Sequence, residues 1–113
     1  MVTMIKYKID FNKLKWVEKA KGIRDKCVDQ NGIRSRLVEY TNEMTPHWCT
    51  KAHYGIILTG KMRVKFTGES HIYEEGDCLY LPPGEKHKHE AFILSDKVRV
   101  FFIEPLIRTI DNK

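Results

Sequence analysis

Turn signals come at short intervals along this chain, and they decide what it folds into. Asn31-Gly32, Thr59-Gly60-Lys61, Gly68-Glu69, Glu75-Gly76-Asp77 and Pro82-Pro83-Gly84 punctuate it. The runs between them are brief and rich in Val, Ile, Leu, Tyr and Phe. Such runs read as strands, and many of them in succession predict an all-β antiparallel sandwich or barrel. With 113 residues there is room for one core only. Hydrophobic residues at 42% and charged residues at 31% fit a globular chain and argue against disorder.

Alternation within the runs supports this. Met62, Val64 and Phe66 alternate with Arg63 and Lys65, and Val98, Val100 and Phe102 alternate with Arg99 and Phe101. Each pattern is a strand with one inward face. Asn31-Gly32 suits a tight hairpin whose two central residues need positive φ. One helix is a candidate, over residues 11–20. Phe11, Leu14, Val17 and Ala20 recur every three residues, Asp10 is placed to cap the start, and Gly22 to end it. The competing reading is an extended arm with Trp16 as a plug.

Charge is uneven. Residues 1–36 carry ten Lys and Arg against four Asp and Glu, whereas residues 37–113 carry ten against eleven. A basic arm of this kind can meet a polyanion. The cations are interleaved with core-type residues, however, and no RNP-like or zinc-finger pattern accompanies them, so a solvated face is favoured over nucleic-acid binding. No apolar run approaches the roughly 20 residues of a membrane span. The start of the chain lacks the apolar stretch of a secretory signal. Cys27, Cys49 and Cys78 are odd in number and widely spaced, which predicts a reducing, cytoplasmic setting rather than a disulfide framework.

Chemistry concentrates in two histidine clusters. His47, Cys49 and His53 lie in HWCTKAH, and His87 and His89 in HKH, just after the Pro-Pro-Gly turn. In extended backbone His47 shares a face with Cys49, and His87 with His89. Imidazole and thiolate donors suit Zn, Fe, Ni or Cu. On the strand after Gly76, Cys78 and Tyr80 share a face and are candidate pocket residues, with core packing the competing reading. Glu85 and Glu90 flank HKH and are candidates to orient an imidazole.

The stretch from His47 to Ala91 resembles the two sequence motifs of the cupin superfamily. The first reads His47-x-Cys49, three residues, His53, six residues, Gly60. The second reads Gly76, five residues, Pro82-Pro83-Gly84, two residues, His87, three residues, Ala91. The spacing matches throughout. The residues depart at four places: Thr41 replaces the leading Gly, Cys49 the second His, His53 the Glu and Ala91 the closing Asn.

The resemblance implies an antiparallel cupin barrel or jelly roll over residues 23–113, preceded by an N-terminal arm of residues 1–22. It implies a divalent transition metal (Zn, Fe, Ni or Cu) held by His47, Cys49, His53 and His87. A second arrangement uses His53, His87 and His89, with His47 at the rim. A third has no metal, the same side chains hydrogen-bonding in a polar pocket. The implied function is action on a small organic molecule, of oxygenase or isomerase type. The alternative is a non-catalytic small-molecule binding or sensing domain. A stand-alone chain of this kind is also expected to form a homodimer through its arm.

Overall fold

The computed structural model describes residues 4–106, and these build two antiparallel sheets facing one another in a jelly roll. The strands are β1 (Val17–Ala20), β2 (Ile23–Gln30), β3 (Ile33–Thr41), β4 (Trp48–Cys49) and β5 (His53–Thr59), then β6 (Lys61–Phe66), β7 (Glu69–Glu74), β8 (Cys78–Leu81), β9 (His89–Ile93) and β10 (Lys97–Pro105). One sheet has the order β1-β2-β3-β10-β5-β8, and the other β4-β9-β6-β7. No α-helix occurs among the described residues, and none of their helical turns is long and apolar enough to cross a membrane.

The β2–β3 hairpin closes on Asn31 and Gly32, with φ of 53° and 76°. Two successive positive values are what a type I′ turn needs, and Asn-Gly adopts them at low cost. In β10, Val98, Val100 and Phe102 point inward as the alternation predicts, and so do Met62 and Val64 of β6. They meet Val38 of β3, Ile57 of β5 and Leu79 and Leu81 of β8 in one apolar cluster. Each large side chain buried there contributes about 1.5–3 kcal/mol. The same inward row of β10 then changes character: its next member is Glu104, and it too is buried. The core is therefore apolar through most of its depth and polar toward one end.

The helix expected over residues 11–20 does not form. Phe11–Lys13 make a single 3-10 turn, with Asp10 Oδ1 accepting from the Asn12 amide at 3.0 Å. Leu14 is already extended, and Val17–Ala20 pair with the edge of the larger sheet as β1. An isolated helix of three turns is marginal, whereas the open edge of β2 offers a ladder of hydrogen bonds. Trp16 secures the extended course. The Arg24, Lys26 and Arg99 cations stand 4.4, 4.7 and 5.3 Å from its ring centre.

Candidate metal centre

At the polar end of the core, three side chains from three strands converge. Cys49 ends β4, His53 opens β5 and His89 opens β9. One donor atom from each lies within 4.8 Å of the others. Cys49 and His89 are brought together by the β4–β9 ladder, in which they are direct partners. His53 faces them from the opposite sheet, its ring 5.4 Å from that of His89 and 5.1 Å from that of Phe102.

Each imidazole has one nitrogen tied back. His53 Nδ1 stands 2.6 Å from Glu104 Oε2, and His89 Nδ1 stands 3.2 Å from the carbonyl oxygen of His87. Both ties are N–H donations to oxygen, and they leave the Nε2 atoms facing the cluster. Carboxylates and carbonyls commonly fix metal-bound histidines in this way. His89 Nε2 is buried without a hydrogen-bond partner among the described residues. A buried polar atom left unpaired is costly and needs a reason. The distance between Cys49 Sγ and His53 Nε2 is 3.6 Å. Zinc-type bonds of about 2.3 Å to sulfur and about 2.05 Å to nitrogen, at a tetrahedral angle, put the two donors ~3.6 Å apart. The residues present thus fit a tetrahedral metal.

Charge around the cluster favours the same chemistry. The hydrogen bond with His53, and then the nearby His89 imidazole, pull the Cys49 thiol down to about 5, against the opposing effect of burial. Burial alone would push the Glu104 carboxyl up, but the hydrogen bond and charge of His53 and the charge of Arg36 hold it below its ordinary value. Glu104 in turn sits in a chain of alternating charge. Arg36 Nη1 is 3.2 Å from Glu104 Oε2, Arg36 Nε is 2.8 Å from Asp25 Oδ2, and Lys19 Nζ is 4.0 Å from Asp25 Oδ1. Buried carboxylates persist only when paired in this way.

The cluster opens into a cavity of about 360 Å³, whose walls include Lys19, Arg36, Tyr40, His47 and Lys51. A wider groove of about 610 Å³ runs over the outer face of β6, β7 and β9, but no Cys or His is among the described residues that line it. We place the candidate centre at the smaller cavity for that reason.

Of the residues singled out in the sequence, Cys49 and His53 join the cluster, and so does His89. His47 lines the cavity on an exposed loop, outside the group of three. His87 belongs to a 3-10 turn, Glu85–His87, with its side chain exposed. That turn breaks the alternation assumed for 87–89, so only the backbone carbonyl of His87 reaches the site. Cys78 and Tyr80 share a face as expected, but it is the outer one. Leu79 and Leu81 take the inner positions, and Tyr80 packs on Tyr54 at 5.1 Å between ring centres. Glu85 lies 3.4 Å from Lys88 and orients no imidazole. Glu104 performs that task instead. Its signal was the period-two row Val98, Val100, Phe102, which extends by one step to a carboxylate.

The sequence pattern of the Cupin_2 family, described as the cupin domain, matches residues 37–103. No curated protein matches the chain. Among solved structures, a protein of unknown function from Rhizobium leguminosarum bv. viciae 3841 is similar at a TM-score of 0.74 and 17% identity, over 90% of this chain and 98% of that one. KdgF from Halomonas sp. gives 0.68 and 22%, over 90% and 95%. The cupin domain of Cnp3 from Schizosaccharomyces pombe gives 0.71 and 11%, over 94% and 77%. At these identities the likeness concerns the fold.

Proposed function

This chain belongs to the Cupin_2 family, and on that premise we propose that it is a metal-dependent cupin enzyme acting on a small organic molecule. The observation that carries the reading is the convergence of Cys49, His53 and His89 within 4.8 Å. Two imidazoles and a thiolate form a borderline-soft set that favours Zn²⁺, Fe²⁺, Ni²⁺ or Cu over Mg²⁺, Ca²⁺ or Mn²⁺. When bound, such a metal supplies Lewis acidity or a redox couple at whatever position the protein leaves open.

The chain's own residues do the rest. Glu104 and the His87 carbonyl orient the two imidazoles. Cys49 brings the one negative charge of the donor set. Tyr40, on the cavity wall, keeps its proton because burial pushes its phenol up to about 12, so it is a neutral donor for a ligand in the cavity. The apolar layer of Val38, Val100 and Phe102 lies beneath and excludes water from that side.

Reconstitution tests the reading. The purified protein should take up close to one Zn²⁺ or Co²⁺ per chain by elemental analysis, and the Co²⁺ form should show a thiolate-to-cobalt charge-transfer band that Cys49→Ser abolishes. A protein that takes up none of Fe²⁺, Ni²⁺, Cu²⁺, Zn²⁺ or Co²⁺ overturns it. The second reading, a metal-free binding or sensing module, would then hold. One observation favours it: Cys49 Sγ and His53 Nε2 are close enough to satisfy each other without a metal.

The proposal extends to setting and assembly. Free thiols stay reduced most readily in a reducing compartment, and three cysteines without a disulfide are in keeping with a cytoplasmic protein. The outer face of the larger sheet exposes Leu58, Tyr80 and Ile103, apolar surface of the kind a second copy covers. Sedimentation equilibrium should report a homodimer, and a monomer at all concentrations would remove that part.

A further inference from the structure

The cavity that leads to Cys49, His53 and His89 is walled by an excess of positive charge. Lys19, Arg34, Arg36 and Lys51 line it, against the carboxylates of Asp25 and Glu104 and the Cys49 thiolate. Both carboxylates are already engaged. Arg36 donates to the two of them, and Glu104 also receives the His53 N–H. Arg34 is held from outside the cavity by Asp29, through its Nε and Nη2 at 2.8 and 2.9 Å, which leaves Nη1 to serve another acceptor. Among the described residues, Lys51 has no acidic partner within ion-pair distance. The Tyr40 hydroxyl adds a neutral donor to the same wall. A bound divalent cation would make the surplus larger.

A cleft lined by one sign of charge concentrates ligands of the other sign. Its volume, about 360 Å³, lies near the lower end of the ~300–1,000 Å³ typical of small-molecule sites. We propose that the ligand of this cavity is a small organic anion of the carboxylate class, its charged group received by Lys51 and Arg34. The proposal rests on the reading of the cavity as the functional site and names the chemical class of what enters it. The cations are part of the wall whether or not a metal is present, so the two readings can fail separately.

Calorimetry with succinate, its uncharged analogue succinamide and inorganic phosphate tests this, on both the Co²⁺-loaded and the metal-free protein. Succinate should bind at least tenfold more tightly than succinamide. The Lys51→Gln/Arg34→Gln double variant should lose at least tenfold in succinate affinity while still taking up one Co²⁺ per chain. Neither side chain belongs to the buried apolar core, and retained Co²⁺ uptake certifies the fold. Preference for phosphate over succinate would overturn the carboxylate assignment in favour of a phosphoryl ligand. Equal affinity for succinate and succinamide, unchanged succinate affinity in the double variant, or binding of none of the three would overturn the proposal. If Co²⁺ fails to bind while succinate binds the metal-free protein with the stated selectivity, the metal reading falls and the anion site stands.

Discussion

Glu104 holds His53 by its Nδ1, at 2.6 Å, and so fixes which nitrogen of that imidazole faces Cys49. The carboxylate is itself clamped by Arg36 and only 8% exposed, so it has little freedom to turn away. Glu104→Gln keeps the shape and removes the charge. Partners of this kind are worth about 10–100-fold in metal affinity, and the variant should lose an amount in that range for Zn²⁺. Competition against a chromophoric chelator measures it. An unchanged affinity would show that His53 needs no such partner.

The two histidines of HKH separate cleanly in a second experiment. His89 presents an unpaired, buried Nε2 to the cluster, whereas His87 contributes only its carbonyl oxygen. His89→Ala should therefore abolish stoichiometric Zn²⁺ uptake, and His87→Ala should leave it near one per chain. The reverse ranking would place the site on the residue that the family spacing singles out.

That contrast shows where sequence reasoning reaches and where it stops. Turn residues and alternation were sufficient for the β architecture, because each is a local backbone preference and the structure has no element that contradicts them in β6 or β10. Alternation also paired Cys78 with Tyr80, but a period of two divides a strand into two faces without saying which is inner. The larger apolar row, Leu79 and Leu81, decides that. His87 and His89 share a face only in continuous strand, and the 3-10 turn that interrupts the segment leaves no periodic signal. The N-terminal segment carried a true three-residue period, yet the open edge of β2 and the cations around Trp16 outweighed it.

Stability should depend on pH through Glu39. Its carboxylate accepts from Arg24 at 2.7 Å and from Arg99 at 2.9 Å. Burial pushes it up, but those hydrogen bonds and the charges behind them hold it below its ordinary 4.5. A carboxyl lowered in the folded state stabilises above its unfolded value, and the contribution is lost as pH falls through the lowered one. Glu39→Gln should cost about 1–2 kcal/mol near neutral pH. The figure is modest because both arginines are substantially exposed to screening water. The gap in melting temperature between the parent and this variant should stay constant near neutrality and close as the pH drops below 4.5. A gap that widens in acid would reverse the sign of the argument.

Gly55 links the fold to the site. It is two residues from His53 on β5 and pairs with Phe102 of β10. A Cβ at this position would run into the carbonyl oxygen of Phe101 and come to 3.0 Å from the Cα of Phe102. Those are backbone atoms of a central strand and cannot swing aside, so Gly55→Ala must push β5 away from β10. Overpacking of this kind costs about 1–3 kcal/mol. The displaced strand carries His53, and the strand it leaves carries Glu104, so their hydrogen bond should lengthen as well. The variant should therefore lose stability in urea and, in the fraction that stays folded, bind Zn²⁺ more weakly than the parent. Ile57→Val, on the same strand but deep in the core, should cost about 0.5–1.5 kcal/mol and leave Zn²⁺ affinity unchanged. If both substitutions weaken the metal alike, affinity tracks global stability, and the spacing between β5 and β10 has no special hold on the centre.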